Sequence, residues 1–64
     1  MRYSVKVYLP KNDRNEYITT VHIVDCKNEV DGINEALNYV KRAQWIRLSD
    51  IEKTKLIAKD IKTI

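Results

Sequence analysis

The stretch from Asn28 to Ala43, NEVDGINEALNYVKRA, decides the fold because it carries the clearest amphipathic helix pattern in the chain. Asn28 is suited to cap the N-terminus, with Asp31 three residues later as a variant of the capping box. Acidic residues near the start and basic residues near the end complement the helix dipole. Apolar residues recur at steps of three and four, which predicts one helix with one buried face. That face consists of Val30, Ile33, Ala36, Leu37, Val40 and Ala43.

Two strand patterns precede this helix. In Arg2 to Leu9, RYSVKVYL, apolar and polar residues alternate, which predicts a strand with one buried face. Glu16 to Asp25, EYITTVHIVD, is rich in β-branched residues, and the turn-forming segment PKNDRN at 10–15 makes an antiparallel hairpin the simplest connection. By alternation, Tyr3, Tyr17, Thr19, Val21 and Ile23 should face the helix, with both tyrosines in the core. The opposite face should carry Tyr8, Ile18, Thr20, His22 and Val24.

The last third of the chain supports two interpretations. Gln44 to Leu48, QWIRL, has the alternation of a strand, and a turn at 50–53 followed by a strand at 54–58 would complete a second hairpin. Alternatively, the capping-box spacing of Ser49 and Glu52 predicts a second helix over residues 50–63. We favour the first interpretation. It gives a single α+β domain over residues 1–64, in the order β-β-α-β-β, with one helix on one face of an antiparallel or mixed sheet; the alternative order is β-β-α-β-α.

Length and composition limit the class of protein. A chain of 64 residues has room for one small core, and a formal net charge of +3 raises nucleic acid as a ligand without establishing it. Cys26 is the only cysteine, so no internal disulfide can form, and no signal-peptide pattern or long apolar run is present. These features predict a cytoplasmic protein that is not embedded in a membrane.

The chain offers no recognisable catalytic or metal-binding pattern. His22 and Cys26 lie four residues apart, which is roughly 13 Å along a strand and too far for a nucleophile and its base. A lone histidine has no partner ligands at metal spacing, and a chain with one glycine has no phosphate-binding loop. We therefore expect no enzymatic activity, no metal site and no cofactor.

The sheet face that the helix does not cover is the strongest functional indication. An apolar surface of that kind is typical of an interaction site, and a second copy of the chain is the first partner to consider. The sequence predicts a small homodimeric interaction module that occupies the surface of a larger protein or complex, of the accessory, regulatory or phage and mobile-element inhibitor type. The predicted interface consists of Tyr8, Ile18, Thr20, His22, Val24, Tyr39 and Trp45.

Nucleic-acid binding is the alternative function. Cations interleaved with an aromatic residue can hold phosphates and stack a base. The residues with this pattern are Lys41, Arg42, Trp45 and Arg47, at the end of the predicted helix and just beyond it.

Overall fold

The computed structural model describes all residues, 1–64, and shows a small α+β fold. Its elements are β1 (Tyr3–Lys11), β2 (Arg14–Ile23), α1 (Glu29–Arg42), α2 (Asp50–Thr54) and β3 (Ile57–Thr63). The three strands form one antiparallel sheet in the order β2-β1-β3, and α1 packs across one face. The predicted α+β class and the single helix on one sheet face are confirmed. Both helices fall short of the length and apolar content that a bilayer crossing requires.

Strand β1 occupies the centre of the sheet because its alternation supplies a complete apolar face. Tyr3, Val5, Val7 and Leu9 are all buried, as predicted. Pro10 is tolerated in this strand because β3 pairs with β1 only as far as Tyr8, so no strand on that side needs the missing N–H. The core is formed by Tyr3, Val5, Val7, Leu9, Val21, Ile23, Cys26, Ala36, Val40, Ile46 and Leu56.

The β1–β2 hairpin is tighter than the sequence predicts. Lys11 pairs with Arg14, so the connection is a two-residue turn rather than a loop over residues 10–15. Asn12 has a φ of 53°, a left-handed conformation that asparagine tolerates better than most residues. Both strands therefore continue through most of the segment that was predicted as loop.

A bulge in β2 changes which of its side chains point toward the helix, so part of the prediction is wrong. Val7 pairs with Thr19 but Tyr8 pairs with Tyr17, so Ile18 is an extra residue in β2. One extra residue reverses the alternation beyond it. The prediction of Tyr17 in the core is wrong, since its side chain lies on the open face and is 53% exposed. Ile18, predicted on the open face, packs against the core instead.

Helix α1 follows its predicted pattern closely. The Asn28 side chain accepts a hydrogen bond from the backbone N–H of Asp31 at 2.9 Å and caps the first turn. Ala36 and Val40 are buried, and Leu37 packs against the core. Val30, predicted in the apolar face, is exposed because the buried stripe of α1 runs through Gly32, Ala36 and Val40, and a residue two positions before Gly32 lies roughly 200° round the helix from it.

The last third differs from both interpretations. Residues 44–48 form a loop rather than a strand, because burial of Ile46 and packing of Leu48 satisfy the two apolar positions without any strand pairing. Residues 50–53 belong to the short helix α2, so the prediction of a helix there is right but its extension to 63 is wrong. The final strand occupies Ile57–Thr63 rather than 54–58, because the free side of β1 offers backbone hydrogen bonds to residues 57–63.

Helix α2 begins with a complete capping box that makes its stability depend on pH. The Ser49 N–H donates to Glu52 at 2.9 Å, and the Ser49 side chain accepts from the Glu52 N–H at 3.2 Å. The hydrogen bond from the Ser49 backbone, and then that with its side chain, lowers the pKa of Glu52 below its ordinary value of 4.5. The charged carboxylate therefore stabilises the fold above pH 4.5, and this contribution is lost as the pH falls through the lowered pKa.

We expect Glu52→Gln to remove this part of the acid dependence. Glutamine keeps the hydrogen-bond acceptor of the capping box but cannot be protonated in this range. The denaturant midpoint, measured at a series of pH values on both sides of 4.5, should fall less steeply on acidification in the variant than in the wild type. If the midpoints of the two proteins fall equally steeply as the pH is lowered, Glu52 is not a source of the acid dependence.

Candidate binding surface: the open sheet face and the sheet edges

The sheet face opposite α1 is covered by no element of the chain. Side chains of directly paired residues point to the same side of a sheet, so the register defines which residues share this open face. Ser4 lies between His22 and Lys62, Lys6 between Thr20 and Lys59, and Tyr8 between Tyr17 and Ile57. The open face consists of Ser4, Lys6, Tyr8, Pro10, Asn15, Tyr17, Thr20, His22, Ile57, Lys59 and Lys62, and the hydrogen bond to Tyr8 adds the carboxylate of Asp60.

Two tyrosines form the aromatic part of the open face. The rings of Tyr8 and Tyr17 meet edge to face, with centroids 5.7 Å apart and an interplanar angle of 68°. The Tyr8 hydroxyl donates to Oδ2 of Asp60 at 3.2 Å, and the Tyr17 and Thr20 hydroxyls are hydrogen-bonded at 2.6 Å. Desolvation, followed by the hydrogen bond and charge of Asp60, raises the pKa of Tyr8. The hydrogen bond to Asp60 therefore orients Tyr8, and Tyr17 offers the more exposed ring.

Three lysines form the cationic part of the open face. Lys6 on the central strand is directly opposite Lys59, and Lys62 lies opposite Ser4, the next open-face residue of β1. Like charges placed directly opposite each other destabilise a sheet. Lys59 and Lys62 are three residues apart, so a regular strand would point them to opposite faces. A bulge centred on Asp60, whose φ is 53°, returns both lysines to the open face.

The two edges of the sheet differ in how well they are protected. Edge strand β3 carries Lys59, Asp60 and Lys62 and is interrupted by its bulge, and both features discourage pairing with another strand. Edge strand β2 carries Arg14 and Glu16 and has its own bulge at Ile18, but its remaining segment from Thr19 to Ile23, TTVHI, contains no Asp, Glu, Lys, Arg, Gly or Pro. From Thr19 to Ile23 its register with β1 is regular. The outer side of β2 therefore presents unpaired backbone groups with little to prevent strand addition.

The structure divides the predicted interface residues among several places. Tyr8, Thr20 and His22 share the open face, Val24 is exposed just beyond the end of β2, and Ile18 packs against the core. Tyr39 lies on α1 and Trp45 in the loop that follows it, so both belong to the helical side of the molecule.

The residues of the alternative nucleic-acid site are all accessible. Lys41 and Arg42 end α1, and Trp45 and Arg47 lie in the loop that follows. All four are exposed, and the Trp45 side chain is 65% exposed, so it does not anchor the core.

His22 and Cys26 lie on different sides of the sheet. His22 is exposed on the open face, whereas Cys26 is buried beside α1, where its thiol donates to the Met1 carbonyl at 3.2 Å. The Met1 amino group donates to the Cys26 carbonyl at 3.0 Å. Cys26 thus fixes the first residue of the chain against the start of the β2–α1 connection. No cluster of His, Cys, Asp or Glu side chains is close enough to hold a metal ion, and the surface has no detectable pocket.

The sequence does not single out Lys6, Tyr17, Lys59, Asp60 or Lys62 as functional residues. Alternation placed Tyr17 in the core, and the lysines become neighbours only through the pairing of β3 with β1. The turn-favouring character of Asp60 inside a β-rich segment was the one local signal for the bulge. No protein-family model matches the chain, and neither a curated protein nor a solved structure is detectably similar to it.

Proposed function

We propose that this protein is a non-enzymatic interaction module that acts as a homodimer, with two copies paired along β2. The observation that supports this proposal most strongly is the contrast between the two edges of the sheet. The outer side of β2 is unprotected, whereas the outer side of β3 is protected. Proteins that keep both edges unpaired normally protect both of them. The difference between the two edges supports the proposal that β2 pairs with a partner in the functional state.

A second copy satisfies the β2 edge by symmetry. Antiparallel pairing of β2 with its two-fold-related copy is self-complementary, and C2 dimers are the commonest homo-oligomers. The segment from Thr19 to Ile23 is regular and rich in β-branched residues, so it is suited to form a ladder with its own copy. The product is a continuous six-stranded sheet.

Dimerisation through β2 also enlarges the surface available to a partner. The open faces of the two copies become one, with Tyr17, Thr20 and His22 of each copy nearest the two-fold axis. The module then acts by occupying the surface of a larger partner molecule. We place this activity in the cytoplasm, where the free thiol of Cys26 remains reduced.

The dimer can be tested by light scattering after gel filtration over a range of protein concentrations. We expect the wild type to show twice the chain mass and Thr20→Glu to show the mass of one chain. The introduced carboxylate would lie opposite Lys6, so the monomer gains a favourable cross-strand pair, while a charged side chain on the edge strand discourages the addition of another strand. The matched control is Thr63→Glu on β3, which should leave the mass doubled.

Either of two results would overturn the dimer: a wild type that stays monomeric at the highest concentration reached, or loss of the dimer in Thr63→Glu with retention in Thr20→Glu. Circular dichroism of each variant establishes that the chain is folded, so that a change in mass reports association.

Nucleic-acid binding through Lys41, Arg42, Trp45 and Arg47 is a second candidate, because all four side chains are exposed. Their sequence proximity gives them a common location at the C-terminal end of α1. If this stretch is the site, Lys41→Gln should weaken the binding of single strands and Lys59→Gln on the sheet should not.

A further inference from the structure

We infer that the open sheet face binds single-stranded nucleic acid, with Lys6, Lys59 and Lys62 contacting phosphates and Tyr17, supported by Tyr8, stacking on a base. This inference adds a ligand to the binding role proposed above, but it does not require the dimer. It is based on the two bulges of the sheet. The bulge in β2 places Tyr17 on the open face, and the bulge in β3 places both Lys59 and Lys62 there.

The bulge in β2 accounts for the aromatic pair. Without the extra residue at Ile18, Tyr17 would point toward α1 and could not meet Tyr8. Bulges commonly redirect a side chain near a functional site. The same bulge lets Ile18 pack against the core, so the core loses nothing when Tyr17 turns outward.

The bulge in β3 accounts for the lysines in the same way. It places Lys59 opposite Lys6 and Lys62 opposite Ser4, and Ile61 packs against the core. Protection of the edge explains cations on β3, but it does not explain Lys6, which lies on the central strand. A polyanion bound across the face would turn this repulsive arrangement of cations into a favourable one.

The charge distribution favours an anionic ligand on this face. Of the nine acidic residues, Asp60 is the one that reaches the open face, and its carboxylate already accepts the Tyr8 hydroxyl. The other eight lie in the hairpin, on the helix-facing side of β2, in the connections or on the helices. The Asp60 contact orients Tyr8, which in turn supports the ring of Tyr17 at its edge.

The aromatic rings distinguish nucleic acid from an acidic protein surface. An acidic peptide needs the lysines alone, whereas unpaired bases also stack on exposed aromatic rings with little sequence preference. Bases in a duplex are already stacked and paired, so we expect single strands to bind more tightly than duplexes of the same length.

The test is fluorescence anisotropy with a labelled mixed-sequence single strand, as DNA and as RNA, over a salt series that begins near 50 mM. Lys59→Gln should weaken binding of every sequence and lower the salt slope by about one. Tyr17→Leu should weaken binding roughly 5- to 150-fold, which is the loss of one stacked base. Matched controls on the helical side are Lys53→Gln in α2 and Tyr39→Leu in α1, and neither should change the affinity by more than about twofold. Lys41→Gln is measured as well, because Lys41 belongs to the competing stretch at the end of α1.

Three outcomes would overturn the inference. The first is no binding at the lowest salt, and the second is binding that is lost in Lys41→Gln but unchanged in Lys59→Gln. The third is equal binding of polyglutamate and single strands. The second would favour the Lys41–Arg47 stretch, and the third a protein ligand. Molecular mass is measured on the same samples. A monomer that binds single strands would refute only the proposed dimer, and a dimer that does not bind them would refute only the proposed nucleic-acid ligand.

Discussion

Leu9→Ala is expected to lower the free energy of unfolding by about 2–5 kcal/mol. The Leu9 side chain is 2% exposed and is among the largest fully buried side chains of the core. Truncation leaves a cavity that the central strand cannot close, because β1 is held on one side by β2 and across its face by α1. A domain of this length has roughly 3–10 kcal/mol of stability in total, so the variant should lose a large fraction of it.

Denaturant unfolding at one fixed protein concentration measures this loss, since association would otherwise add to the apparent stability. Ile64→Ala is the matched control, because Ile64 is exposed at the end of the chain and should change the free energy of unfolding by less than about 0.5 kcal/mol. If the two variants lose equal free energy of unfolding, the packing of Leu9 does not contribute to the stability of the core as proposed.

Gly32→Val is expected to destabilise the fold by about 1–3 kcal/mol, because Gly32 is buried against Tyr3 and Cys26 and a larger side chain would overpack the contact. A Cβ at this position would lie 3.3 Å from Cδ2 of Tyr3 and 3.5 Å from Sγ of Cys26. Both neighbours are buried, and Cys26 is tied to the Met1 backbone, so neither can move freely. The two methyl groups of valine add bulk beyond a Cβ that is already in tight contact with Tyr3, so we expect α1 and β1 to be pushed apart.

Gly32→Ala separates the effect of crowding from that of helix propensity. Alanine gains about 1 kcal/mol in the helix, but its Cβ meets the tight contact with Tyr3, so the two effects should nearly cancel. Thermal or denaturant unfolding of both variants provides the comparison. A valine variant as stable as the alanine variant would mean that α1 and β1 have room to separate at this point.

The sequence specified the parts of the fold in which local patterns and tertiary packing agree. Alternation identified the buried face of β1, and the caps of α1 followed from Asn28 and the charges at its two ends. The capping box at Ser49 was also visible, but a cap marks the start of a helix and says little about where the helix ends. Helix α2 stops at Thr54 because the free side of β1 accepts residues 57–63 as a third strand.

The bulges were the main feature that the sequence did not specify. An extra residue at Ile18 has no glycine or proline to mark it, and either facing of Tyr17 leaves a plausible apolar surface. The choice is made by packing, since Ile18 fits against the core and Tyr17 pairs with Tyr8 across the strand. The pattern in residues 44–48 was likewise too short to separate a strand from a loop that buries Ile46.

The candidate site was predictable to the extent that it depends on β1 and the regular part of β2. Tyr8 was placed on the open face correctly because the alternation of β1 is unbroken, and Thr20 and His22 because they follow the β2 bulge in regular register. Lys59 and Lys62 could not be placed, since three residues separate them and only the left-handed Asp60 brings them to one side. The open face is therefore more cationic and less apolar than alternation indicated.

Hydrogen exchange of the β2 backbone amides, followed as protein concentration is raised, tests the pairing of two copies most directly. We predict that the amides between Thr19 and Ile23 that point away from β1 become more protected as concentration rises, while the outward amides of β3 do not change. Exchange of the outward β2 amides at the same rate at every concentration, and as fast as that of the outward β3 amides, would contradict the proposed dimer.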